Sequence, residues 1–443
     1  MGAVLKVSRE ATLVAYRAFS DVAGKGAFFL VTVLAARRLS QESFGVFSLG
    51  TTLGWLAAVA TDAGLQMHLA RRVATSPADA SRLLRVWLRV RLWTSAAAIA
   101  IAVGALLATK VAGTSSLAVL LFILVYIGSG LIEFLHYFYR GLARSDIEST
   151  LTLWQRFGTL ACAAAVLAWR PSVTALAAAM AIPVLLTFVY SLSRATRLAE
   201  NIRRPAAIGR DETPPRTWQP ASAGVNNSTT AAGTITELRR EVLPIGIGII
   251  LSALYFRIDV VLLQAWSTTN AVAVYNAVFR LVEALRLFPA AVMAVALPIF
   301  CRATSTRPLV GVSAALMAFS FVVALVLWVI ADPLVPLVYG EQYAEGVQAF
   351  QILVASFPLM ALNYALTHQL IAWNGHRAYA GICAAALLFN VALNARLIPA
   401  MAIEGAAWST FWTEALLTAG CGTALWAGFA RPGASRLTAT ATL

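Results

Sequence analysis

Charged side chains recur at helical spacing inside long apolar stretches, and they are the residues of this sequence that could do chemistry. Arg17, Asp21 and Lys25 follow one another at four-residue intervals, which places all three on one face of a helix. A second apolar stretch carries Arg280, Glu283 and Arg286. Guanidinium groups bind phosphate through paired, charge-assisted hydrogen bonds, and an ammonium adds a point charge. Both stretches therefore contain candidate ligands for an anion.

Carboxylates within the same stretches have two candidate roles. Asp21, Glu133 and Glu283 could hold the cations while no anion is bound, or bind H⁺ or Na⁺ as a coupling ion. No other cofactor is predicted. The Glu-x-x-His spacing of Glu133 and His136 occurs once, whereas a di-iron bundle needs two copies, so no metal site is predicted.

The buried charges also have a purely structural interpretation. A charge at bilayer depth costs at least about 2.5–3.5 kcal/mol, so it must face the interior of a helix bundle or a hydrated cavity. Basic and acidic residues are balanced among the clear intramembrane positions. Pairing between helices and binding of a substrate therefore both remain open at this point.

Composition identifies the elements that must position these residues. Of the 443 residues, 60% are hydrophobic and 12% are charged, and the mean hydropathy is +0.76. A soluble enzyme or a disordered chain carries far more charge, so both classes are excluded. The composition predicts an all-α polytopic membrane protein with about twelve spans. The predicted spans cover 13–39, 43–70, 87–109, 115–139, 148–169, 172–195, 240–266, 270–300, 309–331, 346–374, 378–398 and 403–428.

The spans divide into two groups of six around one long polar stretch. We predict an N-terminal lobe at 1–198, a cytoplasmic flexible linker at 199–237, a C-terminal lobe at 238–430 and a cytoplasmic tail at 431–443. The second and eighth spans begin with related patterns about 228 residues apart, which indicates a parallel pseudo-repeat. Basic loop residues concentrate on the N-terminal side of the membrane, so both termini are predicted to be cytoplasmic.

Motifs along nearly the whole chain resemble those of a known family. In the first half they are LAARRL at 34–39, FGVFSL at 44–49 and DAGL at 62–65, followed by Arg71 and Arg72. In the second half they are YFRIDV at 255–260, YNA at 275–277, FRL at 279–281, Pro289, Pro298, LVYG at 337–340, Asn390, Asn394, Pro399 and GAA at 405–407. This ordered set resembles the polysaccharide (O-antigen-type) flippases of the multidrug/oligosaccharidyl-lipid/polysaccharide exporter superfamily.

The resemblance implies a fold and an activity. Members have two six-helix bundles that work by alternating access. The polysaccharide branch moves an undecaprenyl-pyrophosphate-linked oligosaccharide to the outer leaflet of the bacterial inner membrane without nucleotide hydrolysis. In related lipid II flippases, cations of the first and eighth spans line the cavity, which by position implies Arg17, Lys25 and Arg280, with Arg286 close by. The implied partners are a polyprenyl-pyrophosphate-linked glycan, membrane lipid and glycan polymerase or export machinery, and no nucleic acid.

Two other functions compete with this prediction. A multidrug antiporter of the same superfamily would use the carboxylates for cationic drugs and a coupling ion. A membrane enzyme of glycan assembly belongs to a different class, and such enzymes usually carry a large outward catalytic loop, whereas the longest loop here is predicted to be cytoplasmic and is rich in proline. The sequence therefore predicts a transporter without enzymatic activity.

Overall fold

Helices make up nearly all of the structure. A computed structural model describes residues 2–108, 114–203, 242–302, 307–373 and 375–429, and these ranges contain no strand. The predicted linker from residue 204 onward and the predicted tail lie outside the described residues. The all-α prediction is confirmed. Long apolar segments form helices because a helix satisfies all backbone hydrogen bonds within the segment itself.

The first half of the chain contains six long helices and one short one. They are α1 (Gly2–Arg38), α2 (Gln41–Asp62), α3 (Leu65–Thr75), α4 (Ala80–Ala108), α5 (Thr114–Gly141), α6 (Ser145–Trp169) and α7 (Val173–Arg203). The predicted second span is interrupted between α2 and α3, where Ala63 and Gly64 have φ angles of 42° and 86°. The Asp62 carboxylate accepts hydrogen bonds from the backbone N–H groups of Gly64 and Gln66, at 3.1 and 3.2 Å, and so caps the start of α3.

The second half has more interruptions. Its helices are α8 (Leu243–Trp266), α9 (Thr269–Leu285), α10 (Leu287–Arg302), α11 (Arg307–Val329), α12 (Ala331–Tyr339), α13 (Val347–Ala355), α14 (Phe357–Ala372) and α15 (His376–Phe429). Arg286 separates α9 from α10 within the predicted eighth span.

The longest element, α15, consists of two helical arms that fold back on each other. The amide of Asn390 donates to the Thr413 hydroxyl at 3.1 Å, although the two residues are 23 positions apart, a separation of about 35 Å along a straight helix. The chain reverses at Ala402, whose φ is 45°. The arms therefore cover 376–401 and 403–429, and each one is long enough to cross a membrane.

The span count agrees with the sequence. Ten of the described helical segments are long and apolar enough to cross a membrane. One of these is α15, which counts as two spans, and the interrupted pair α9–α10 adds another. The predicted number of about twelve is therefore recovered.

The predicted repeat is visible in the helix boundaries. The first helix ends at Arg38 and the second begins at Gln41, whereas α8 ends at Trp266 and α9 begins at Thr269, which is 228 residues later in both cases. The second span of each half is also broken, at 63–64 in the first half and at Arg286 in the second. The two halves therefore share the 228-residue offset of their first two helices and a broken second span.

The structure forms two compact units, each with its own apolar core. One contains Met1–Val31 and Leu53–Ile249, and the other contains Thr32–Thr52 and Ile250–Leu443. Within the second unit, the Arg37 guanidinium donates to the Val338 carbonyl oxygen at 2.8 Å and to that of Leu337, while the Gln342 amide donates to Ala36 at 3.0 Å. These bonds explain why the α1–α2 turn groups with the later helices. The predicted lobes at 1–198 and 238–430 follow span number instead and stay a prediction.

The reversal in α15 generates a prediction about glycine. A Cβ on Gly405 would lie 2.3 Å from the Leu397 carbonyl oxygen, whereas one on Gly422, in the same arm, would meet nothing within 4 Å. We expect Gly405→Ala to lower the free energy of unfolding by about 1–3 kcal/mol, because a backbone atom must move. Gly422→Ala is expected to be neutral or to stabilise by up to about 1 kcal/mol. Thermal unfolding in detergent compares the two variants, and equal melting temperatures would contradict the close approach.

Candidate functional site

In the first unit, a buried glutamate holds two arginines. Glu148 lies in the first turn of α6, and its side chain is 3% exposed. The Arg140 Nε, from the end of α5, donates to both carboxylate oxygens, at 2.8 and 2.9 Å. The Nε of Arg17 lies 3.8 Å from Glu148 Oε1 and completes the set. Three helices therefore converge on one carboxylate.

The packing of α1 against α6 determines which charges meet. Gly24 is buried, and a Cβ at this position would lie 3.1 Å from Cγ of Arg156. The two helices run in the same direction, since Arg17 lies near Glu148 and Gly24, seven residues later, lies near Arg156. This register brings Arg17 to the glutamate.

The rest of the predicted first-span triplet is not paired. Asp21 and Lys25 are both exposed, and neither forms an ion pair within the described part of the chain. On α5, Glu133 is also exposed and unpaired there, whereas His136 is buried. The structure thus brings Arg17 into a cluster and leaves Lys25, Asp21 and Glu133 accessible.

The second unit has a matching arrangement around Glu283. The Nη2 of Arg257, from α8, and the Nη1 of Arg280, from α9, each donate to the same carboxylate oxygen at 2.6 Å. Arg257 also donates to the Asn276 side-chain oxygen at 3.1 Å. The side chain of Arg257 is 4% exposed and that of Arg280 is 12% exposed. These two guanidiniums are held in place well away from bulk water.

Arg286 adds a third cation to this cluster without an acid of its own. Its guanidinium carbon lies 4.0 Å from the Phe256 ring centroid and 5.4 Å from that of Tyr364. The Arg257 guanidinium lies 5.3 Å from the same Phe256 ring, so the two arginines flank one aromatic side chain. Among the described residues Arg286 forms no ion pair. Its charge is stabilised by aromatic faces and stays available to an anion.

Both clusters share one physical property, an excess of positive charge. Each has a carboxylate shared by two guanidiniums, and the second has Arg286 in addition. A shared carboxylate lets two like charges lie side by side in a medium of low dielectric, where they would otherwise repel strongly. The remaining N–H donors and the uncompensated charge suit a multiply charged anion such as a phosphate ester.

Some cluster members were not predicted as site residues. Glu148 lies at the predicted start of a span, where a glutamate is common because it interacts favourably with the helix dipole. Arg140 lies at the predicted end of a span, where a basic residue is typical of a cytoplasmic loop. Arg257 and Asp259 are two residues apart and face different partners, as their spacing predicts. Asp259 accepts from the Tyr275 hydroxyl and, at 3.4 Å, from Thr410, so its hydrogen bonds go to neutral partners outside the Glu283 cluster. The sequence signal that could have identified Glu148 is that Arg140 and Arg144 precede it by eight and four positions.

Arg91 is a further buried cation that the sequence analysis did not single out. Its side chain, on α4, is 1% exposed and donates to the Ala58 carbonyl oxygen at 3.2 Å. Ala58 lies in the last turns of α2, just before the interruption at 63–64. Arg91 therefore supports the broken second span and is separate from both clusters.

The fold has known counterparts among membrane transporters. An inward-facing multidrug resistance MATE family transporter of the MOP superfamily has a TM-score of 0.67 at 11% identity, covering 91% of this chain and 95% of that one. The lipid II flippase MurJ, in an inward closed conformation, has a TM-score of 0.65 at 10% identity, covering 93% and 87%. The eukaryotic MATE transporter AtDTX14 has a TM-score of 0.58 at 14% identity, covering 97% and 98%. No curated protein sequence matches this chain.

These likenesses, together with the helical architecture, define a multi-pass membrane protein with the fold of MOP superfamily transporters. Residues 14–304 match the family model described as "Polysaccharide biosynthesis protein", which is more than half of the chain. The chain therefore belongs to this polysaccharide biosynthesis family, and the resemblance seen in its motifs is confirmed.

The shared glutamate generates a stability prediction. Glu283→Gln would leave Arg257 and Arg280 next to each other without a compensating charge, so we expect a loss of about 3–5 kcal/mol in the free energy of unfolding. The double variant Arg257→Gln/Glu283→Gln is expected to regain part of this loss, because it removes one of the two repelling cations. Lys25→Gln serves as the control and should leave the melting temperature in detergent unchanged. A melting temperature of Glu283→Gln equal to that of the parent would show that the pairing contributes nothing.

Proposed function

We propose that this protein is a flippase that carries a polyprenyl-pyrophosphate-linked oligosaccharide to the outer leaflet by alternating access, for cell-surface polysaccharide synthesis. The observation that carries the proposal is the excess of positive charge in both clusters, one around Glu148 and the other around Glu283. Membership of the polysaccharide biosynthesis family supports the same substrate class.

The physical problem of such a substrate matches the chemistry of the clusters. A diphosphate attached to a hydrophilic glycan cannot cross about 30 Å of hydrocarbon without replacement of its hydration. Guanidinium donors that are already held in place supply that replacement at little cost in side-chain ordering. The polyprenyl tail needs no protein site, because it can stay in the lipid.

The sign of the charge favours this substrate over a cationic drug. The similar structures include MATE transporters and a lipid II flippase, so the fold alone does not separate the two activities. A cationic drug would be repelled by Arg257, Arg280 and Arg286, the first two of which share the single carboxylate of Glu283. The exposed carboxylates Asp21 and Glu133 are the feature that an antiporter would use.

The proposal includes a place in the cell. We infer that the protein lies in the bacterial inner membrane with both termini in the cytoplasm, since the basic loop residues concentrate on that side. Its substrate would be supplied by glycosyl transfer onto a polyprenyl phosphate at the cytoplasmic leaflet. Glycan polymerase or export machinery would receive the product on the other side.

Loss of the protein should trap its substrate. Deletion in the host is expected to cause a lipid-linked oligosaccharide to accumulate in the cytoplasmic leaflet, because its headgroup cannot cross unaided. Mass spectrometry of extracted lipids identifies the species, and protection from a membrane-impermeant glycosidase in sealed vesicles reports the leaflet. Accumulation on the outer side would place the protein after the flipping step and would argue against the proposal.

The two clusters can be tested separately by substitution. Arg17→Ala and Arg280→Ala are each expected to reduce export at least about tenfold, the effect of losing one charge-assisted hydrogen bond of about 1.5–3 kcal/mol. Arg144→Ala is the matched control, since Arg144 is paired with Asp146 at 2.9 Å outside both clusters. Export is measured in the deletion strain by complementation, with membrane insertion checked by immunoblot. Full export by both cluster variants would refute the assignment of the binding residues.

A further inference from the structure

One buried carboxylate in the second unit has no cation bonded to it. Glu414, on the second arm of α15, is 4% exposed. Its Oε2 accepts a hydrogen bond of 2.7 Å from the Asn363 amide of α14, and that amide also donates to the Glu414 backbone carbonyl at 3.0 Å. Thr418 donates to the Asn363 side-chain oxygen at 2.9 Å, which fixes the orientation of the amide. Glu414 is therefore held by a neutral donor.

Among the described residues, one cation, Arg286, interacts with the charge of Glu414. The titratable groups that interact electrostatically with it come from α8, the α9–α10 junction and both arms of α15, and they are Tyr255, Arg286, Cys383 and Cys421. Arg286 lies over the ring of Tyr364, the neighbour in sequence of the Asn363 that bonds Glu414. Among these groups only Arg286 is a cation, and its guanidinium lies over the rings of Phe256 and Tyr364 instead of on the carboxylate. An ionised carboxylate buried in this way, without a bonded cation, would be expensive, so the arrangement fits the neutral acid.

The other carboxylates of this cluster region are committed elsewhere. Glu283 receives two guanidiniums at 2.6 Å, so protonating it would leave both of them unpaired. Asp259 is bonded to the Tyr275 hydroxyl and to the backbone N–H of Val260. Protonating Asp259 would weaken hydrogen bonds from two hydroxyls and a backbone N–H, whereas the Glu414 carboxyl group accepts one amide hydrogen bond. Glu414 is thus the carboxylate here that can gain or lose a proton with the least loss of bonding.

We propose that Glu414 is a proton-binding site whose occupancy controls whether Arg286 is available to a diphosphate. When the carboxyl group releases its proton to water, the resulting carboxylate attracts the Arg286 guanidinium away from the aromatic rings. When the proton returns, the ion pair is lost and Arg286 can bind an anion. No other reactant takes part. This inference rests on the proposed function for its anion, and the proton site itself does not depend on that function.

Binding of farnesyl diphosphate to the purified full chain in detergent tests the coupling. Titration calorimetry at about pH 5.5 and about pH 8.5 compares the parent with Glu414→Gln, which mimics the protonated acid and can still accept from Asn363. At the higher pH we expect Glu414→Gln to bind at least about tenfold more tightly than the parent, because a competing carboxylate has been removed. At the lower pH the two should bind equally.

Two controls make the comparison specific to this pair. Glu404→Gln, near the start of the same arm and only partly buried, should follow the parent at both pH values. Arg286→Gln should bind farnesyl diphosphate weakly at both pH values. Any remaining pH dependence of its affinity should come from protonation of the diphosphate itself. Equal parent and Glu414→Gln affinities at the higher pH would overturn the coupling. Replacing choline with Na⁺ in the buffer should change nothing, and a Na⁺-dependent gain in the parent that is absent in Glu414→Gln would show a sodium site instead of a proton site.

A second measurement reads the proton without the anion. An infrared difference spectrum between the two pH values should contain a carboxyl C=O band that is missing in Glu414→Gln and present in Glu404→Gln. If the band belongs to Glu414 but farnesyl diphosphate binds to neither protein at any pH, the proton site holds and the proposed substrate class fails. If the band persists in Glu414→Gln, the proton site is wrong even if the diphosphate binds.

Discussion

Two arginines that share one carboxylate form the interaction on which each unit of this protein depends. Guanidiniums cannot stay side by side at membrane depth without a counter-charge, and a full set of counter-charges would leave nothing to attract an anion. A single glutamate for two arginines meets both requirements. Glu148 does so between α1, α5 and α6, and Glu283 does so between α8 and α9. The charges can therefore both join helices and bind a substrate, because each glutamate neutralises only one of its two arginines.

Helix interruptions bring these charges into register. Arg286 separates α9 from α10, and in the helical turn at this junction its guanidinium reaches Phe256 on α8. In the first half the corresponding interruption lies at 63–64, where a carboxylate cap at Asp62 and buried Arg91 support the irregular backbone. Non-helical backbone at membrane depth is tolerated only where protein or water satisfies it. The positions of the interruptions are thus part of the framework that holds the charged side chains.

Much of the framework follows from the sequence, and much of the site does not. Apolar length and the 228-residue shift predict the helices and their repeat, because burial in lipid leaves a long apolar segment no alternative to a helix. The charged stretch at Arg280–Glu283 predicts a cluster, since three-residue spacing brings the two side chains together in any helix. The pairing of Arg17 with Glu148 depends on contacts between helices far apart in sequence, with Gly24 close to Arg156 of α6. Spacing carries no information about such contacts, so it does not show that Arg17 is paired while Asp21 and Lys25 on the same helix are exposed.

The repeat explains the scaffold but does not explain the charges. A shift of 228 residues takes Glu148 to His376 and takes Glu283 back to Trp55, so neither shared glutamate has an acidic counterpart in the other half. The first cluster uses the first, fourth and fifth spans, whereas the second uses the seventh and eighth. Duplication of a six-helix unit would have copied any charge that served only to hold that unit together. Two arginines on one glutamate occur in both halves but at different positions. A functional requirement that acts on both units explains this better than duplication does. Binding of an anion within each unit is such a requirement.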